Sequence, residues 1–148
     1  ATYVVAQFET ALAAQPALAF FVPGLVYLAD AIGTQSEAVA VRGLSLSHAP
    51  LARLVGGELR TGFLIGLVLA LLAFPMVWLA FGSVQLATTV ALALGGASLV
   101  ASVLGLMLPW LLARLGTDPA YGSGPLATIV QDVLSLLIYF ACASVILL

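Results

Sequence analysis

PLATIVQDVLSLLIYFACASVILL, Pro125–Leu148, is apolar from end to end except for one charge, Asp132. The stretch is long enough to cross a bilayer, which takes about 20 apolar residues. A carboxylate at bilayer depth costs at least about 2.5–3.5 kcal/mol unless it has a partner, so an acid in such a place marks a functional site by default. The chain contains no lysine, and none of its four arginines lies near Asp132 in sequence. A metal cation is therefore the first partner to consider.

Composition supports the same class. The 148 residues are 64% hydrophobic and 7% charged, with mean hydropathy +1.24. Soluble domains carry about 25% charged residues. The sequence therefore predicts an all-α, multi-pass integral membrane protein in contact with the lipid bilayer. Its apolar runs are continuous, not alternating, which excludes a β-barrel. A net charge of −2 with only four arginines argues against a nucleic-acid partner. The single Cys142 forms no internal disulfide and no cysteine-rich metal site. Ala1–Phe8 lacks the basic start of a signal peptide. With no initiator Met before it, that segment suggests a fragment that begins near the end of an earlier span.

The spans read as residues 16–42, 61–82, 84–114 and 125–148, after a partial span at 1–8. Pro16 suits the first turn of a helix. Glu9–Gln15 reads as a short polar break. Gly43–Arg60 holds Ser45, Ser47, His48, Arg53, Glu58 and Arg60; its spaced leucines suit a short helix on the membrane surface. His48 reads as solvated or interfacial. Gly82-Ser83 is the natural turn in the uncharged run Thr61–Ala113, and LGTDPAYGSG (Leu115–Gly124) is a loop. Pro75 and Pro109 are expected to kink or end their helices.

The arginines provide an independent check on this count. Alternating the spans places Arg42, Arg53, Arg60 and Arg114 on one side, the cytoplasm by the positive-inside rule. Trp78 and Trp110 fall near opposite membrane faces, as interfacial anchors do.

Within the first full span, Asp30 and Glu37 lie seven residues apart and project from nearly one face. Gly33, Thr34 and Gln35 lie between them, and Pro23-Gly24 precedes them. Glu37 also has a structural reading, as a pair with Arg42. In the last span, Thr128, Gln131, Asp132, Ser135 and Tyr139 form a polar stripe that belongs toward protein or water. The available donors are carboxylates, hydroxyls, amides and carbonyls. Zn²⁺ and Cu⁺ favour nitrogen and sulfur ligands, whereas Mg²⁺, Ca²⁺ and Mn²⁺ take oxygen. Mg²⁺ keeps its waters and is held by one or two carboxylates. The glycines of Gly62-x-x-x-Gly66 and the series Gly95, Gly96, Ser98, Ser102, Gly105 read as packing stripes. No nucleophile–His–acid set, phosphate loop, CxxC or HExxH occurs, so the chain reads as no enzyme, with no organic cofactor.

Two stretches resemble the membrane domain of the MgtE family of magnesium channels and transporters. FVPGLVYLADAIGTQSEAVAVRGLS (Phe21–Ser45) resembles the family's second membrane helix. LGTDPAYGSGPLATIVQDVLSLLIYF (Leu115–Phe140) resembles its last loop and fifth helix. The resemblance implies a five-helix domain, here four complete spans plus the end of the first. It further implies a homodimer whose pore is lined by helices two and five. The family's pore aspartate falls on Asp132. Thr128 takes the position whose carbonyl faces the ion, and Gly33 and Gln35 match the helix-two motif. Ala29-Asp30-Ala31 departs from the family's Gly-Gly-Asn, and Gly124 replaces an asparagine.

The expected function is divalent cation transport, with Mg²⁺ ahead of Mn²⁺ and Ca²⁺, in a prokaryotic plasma membrane. Asp132, Asp30 and Thr128 are the expected metal residues. Gly33, Thr34, Gln35, Glu37, Pro125 and Gln131 are the expected pore lining. The rival is a structural membrane subunit whose acids pair with a basic partner chain.

Overall fold

The computed structural model describes residues 1–46, 50–120 and 123–147, and no strand occurs among them. Two short helices, α1 (Thr2–Gln7) and α2 (Glu9–Ala14), lead into four long ones. These are α3 (Ala17–Leu46), α4 (Leu51–Phe81), α5 (Val84–Arg114) and α6 (Ser123–Ile146). All four are long and apolar enough to cross a membrane. The protein is an all-helical, multi-pass membrane protein.

Local chemistry sets the helix ends. The turn between α4 and α5 falls at Gly82-Ser83. Gly82 adopts φ 67°, a left-handed conformation that favours glycine, and its N–H donates to the Trp78 carbonyl at 2.8 Å. Ser83 then caps α5, its Oγ accepting from the Leu86 N–H at 3.2 Å. After α5, Asp118 Oδ1 accepts from the Ala120 N–H at 2.9 Å, which shapes the loop before α6.

α5 occupies the centre and packs on α3, α4 and α6. Its buried residues are mostly small: Ala87, Ala93, Ala97, Ser98, Ala101, Ser102 and Gly105 among them. Lipid tails are as apolar as leucine, so spans associate through close van der Waals fit, and small residues allow it. A Cβ on Gly66 would stand 2.8 Å from the Gly95 carbonyl oxygen, and one on Gly62 2.8 Å from Ser102 Oγ. Gly62, Gly66 and Gly95 thus form the contact surface between α4 and α5, while Gly96 and Gly105 of the same stripe face α6 and α3. The rest of α4 turns Phe63, Leu67, Leu71, Met76 and Leu79 outward, where acyl chains would cover them.

α6 closes on α3 through its polar stripe. Gln131, Ser135 and Tyr139 are all buried. Tyr139 donates its hydroxyl to the Leu18 carbonyl at 2.9 Å. Its neighbour Phe140 stacks on Phe8 with ring centroids 4.4 Å apart. Tyr139→Phe is expected to cost roughly 0.6–1.5 kcal/mol, the worth of one such bond in this setting. Thermal unfolding in detergent would measure it.

Three sequence expectations change. The polar break at Glu9–Gln15 is largely the helix α2. The separate surface helix in Gly43–Arg60 does not form: α3 continues to Leu46, and α4 starts at Leu51 and runs unbroken through Arg60 to Phe81. A side-chain bond explains this. Ser36 Oγ donates to Glu58 Oε2 at 2.9 Å, tying the foot of α4 upright against α3. Of the two expectations for Pro75 and Pro109, a kink or an end, the second falls away: both lie inside their helices, α4 and α5. In an apolar medium a helix end exposes backbone groups with no water to satisfy them, so continuing through proline is the cheaper course. Ser47 and His48 lie outside the described residues.

Candidate functional site

The acids of the spans gather where α3 meets α6. Thr128, one turn into α6, donates its hydroxyl to Asp30 Oδ1 at 2.8 Å. Asp30 is half-buried, and so is Asp132, one turn beyond Thr128. Glu37 and Asp132 each lie within electrostatic reach of Asp30. Asp30 and Asp132 therefore flank Thr128 at this seam, with Glu37 two turns further along α3. No arginine falls between residues 16 and 41 or between 123 and 148. Among the described residues, no group of three or more His, Cys, Asp or Glu side chains converges tightly enough to cage a bare ion.

Backbone approach makes the seam narrow. A Cβ on Gly33 would overlap the amide group of Gln131, and one on Gly105 would stand 2.6 Å from the Gly33 carbonyl oxygen. Three helices thus cross at Gly33, Gly105 and Gln131. Gln131 is 2% exposed, with neither Oε1 nor Nε2 hydrogen-bonded. It faces α3 across this crossing.

The outer face of α3 is open. A groove there is lined by Tyr27, Asp30, Ala31, Thr34, Gln35 and Ala38. Thr34 donates its hydroxyl to the Asp30 carbonyl at 2.7 Å. Tyr27 is 74% exposed, an unusual position for a large aromatic ring beside a carboxylate. Glu37 is buried and lines a separate cavity, shared with Arg42 and Gly124. Pro125 is exposed at the start of α6.

Of the residues expected from sequence, the structure brings Asp30, Thr128 and Asp132 together, with Gly33 and Gln131 at the adjoining crossing. Thr34 and Gln35 face outward from α3. Sequence reasoning missed Glu58 as the partner of Ser36, and Gly105 as the third member of the crossing. The only signal for Gly105 was its place on the small-residue stripe. Glu58 carried none, because its partner is 22 residues away.

A bundle of apolar spans with carboxylates held on two facing helices defines a multi-pass membrane protein that carries acids at bilayer depth. The chain belongs to the MgtE family: the family model, described as a divalent cation transporter, matches residues 22–142. It is 38% identical over 144 residues to the magnesium transporter MgtE of Bacillus subtilis. It is 38% identical over 143 residues to the magnesium transporter MgtE of Thermus thermophilus, and 34% over 144 residues to that of Enterococcus faecalis. Each match covers 95% of this chain and 32% of the relative, so the chain spans about a third of the length of the curated relatives it matches.

Proposed function

We propose that this chain forms the membrane pathway of a magnesium transporter. Two copies pair so that the open faces of α3 and α6 enclose a pore, in a prokaryotic plasma membrane. The observation that carries this reading is the bond from Thr128 to Asp30, which fixes the acid-bearing faces of α3 and α6 against each other.

The mechanism is electrostatic. Asp132 from each subunit attracts a hydrated divalent cation into a narrow, low-dielectric site. Two carboxylates balance its charge, while a monovalent ion is held too weakly to displace it. Thr128 holds Asp30 in place, so that its second oxygen and the seam's carbonyl groups accept hydrogen bonds from the ion's waters. Mg²⁺ is the favoured cargo because it sheds water reluctantly and needs few direct ligands. Mn²⁺ and Ca²⁺ are competitors of the same hard, oxygen-seeking class.

The test uses the full-length protein in proteoliposomes, with Mg²⁺ uptake measured alone and against Mn²⁺ and Ca²⁺. Saturable Mg²⁺ uptake is expected, and silence for every ion would favour the structural-subunit reading. Cysteine cross-linking checks the pairing. With Cys142→Ala removing the native thiol, Gln35→Cys is expected to link two copies in membranes, whereas lipid-facing Leu71→Cys is not. No cross-link at Gln35 would move the interface off this face of α3.

A further inference from the structure

Glu37 is 5% exposed, and its Oε1 makes no hydrogen bond. Among the described residues it is the only acid with a buried, unpartnered side-chain oxygen. A carboxylate oxygen in so dry a place is costly unless a positive group meets it. The cavity it lines also holds Thr34, Arg42, Ala120 and Gly124. A second groove, the one containing Asp30, shares Thr34 and Ala38 with it. Asp30, Thr34 and Glu37 stand at i, i+4 and i+7 of one helix, so they form a single stripe. Thr34 donates its proton to the Asp30 carbonyl, which leaves its hydroxyl oxygen free to accept. A carboxylate, a hydroxyl oxygen and a second carboxylate thus step along α3 toward the end that carries Arg42.

We propose that Glu37 is a second cation-binding carboxylate, at the inner mouth of the pathway. It receives a hydrated divalent cation from the Asp30–Asp132 seam and releases it to the cytoplasm. Glu37 is the one carboxylate among the residues lining that cavity, which makes the hold weak. A conducting site must bind well enough to be entered and loosely enough to be left, and one carboxylate against the two of the Asp30–Asp132 seam tilts the balance toward leaving. The direction of travel rests on the transport reading above, but cation binding at Glu37 does not.

The test is a Mn²⁺ titration of the full-length protein in detergent, read by electron paramagnetic resonance, and it needs no flux. In an Asp30→Asn, Asp132→Asn background, Mn²⁺ is expected to remain bound through Glu37. Adding Glu37→Gln should weaken that binding at least about 10-fold, the size of one lost charged contact. Glu37→Asp, which keeps the charge, should restore part of it. If the double background does not purify as folded protein, Glu37→Gln alone should remove one Mn²⁺ per chain from the wild-type count. A titration that Glu37→Gln leaves unchanged overturns the proposal and assigns Glu37 to packing against Arg42. A wild-type protein that binds Mn²⁺ through Glu37 yet carries no Mg²⁺ would sink the transport reading and leave this site standing.

Discussion

Asp132→Asn is expected to abolish Mg²⁺ uptake by the full-length protein while leaving it folded. Asparagine has nearly the same size and still accepts hydrogen bonds, so only the charge is removed. At an effective dielectric of about 20, a unit charge and a divalent ion about 5 Å apart attract by roughly 6–7 kcal/mol. The ion's waters reduce what is realised. Even a third of that value is worth more than about 30-fold in occupancy, and the proposed pair of subunits would lose it twice. Uptake should therefore fall at least about 100-fold. The control is Glu9→Gln in α2, away from the seam, which should transport as wild type. Uptake by Asp132→Asn within about threefold of wild type would remove Asp132 from the pathway and leave Asp30 as the acid to test next.

The second large effect is on assembly. Gly105→Leu is expected to prevent the bundle from closing. A Cβ there already stands 2.6 Å from the Gly33 carbonyl oxygen and 2.7 Å from Ser36 Cβ. The nearest obstruction is backbone, and no rotamer change relieves it. Overpacking of a rigid core costs about 1–3 kcal/mol, and a branched side chain against backbone lies at the top of that range or beyond it. The result should be little monodisperse protein on size exclusion and a large fall in unfolding temperature. Gly57→Ala is the matched control, because nothing lies within 4 Å of its added Cβ. That change should stay within about 0.5 kcal/mol of wild type. A Gly105→Leu protein as stable as wild type would mean that α3 and α5 do not approach as described.

What the sequence disclosed and what it withheld divide along the range of the interactions. The span ends were legible where their chemistry is local. Gly82 and Ser83 close one helix and open the next with their own backbone and hydroxyl groups. The stripe Gln131, Ser135, Tyr139 was legible because helical periodicity alone assigns a face. What that face meets was not. The partner of Thr128 lies 98 residues away, and that of Tyr139 lies 121 away. The same limit explains the error at residues 43–60. A polar stretch with spaced leucines suits a helix lying on a membrane as well as the foot of a standing one. The choice rests on the bond between Ser36 and Glu58, which no local pattern encodes.

That bond also makes a fulcrum. α3 extends ten residues past Ser36 to Leu46, about 15 Å of rigid rod at 1.5 Å per residue. Asp30 lies six residues on the other side, about 9 Å away. If α3 pivots where Glu58 grips it, a sideways push of about 5 Å at Leu46 swings Asp30 by about 3 Å in the opposite direction, in the ratio of those two arms. That swing is about the width of one water molecule, the margin between a passage that admits a hydrated ion and one that does not. Because Gly105 and Thr128 hold α3 on either side of Asp30, such a swing would carry α5 and α6 with it, and a load at the ends of α3 and α4 would reach the carboxylates through the packed helices.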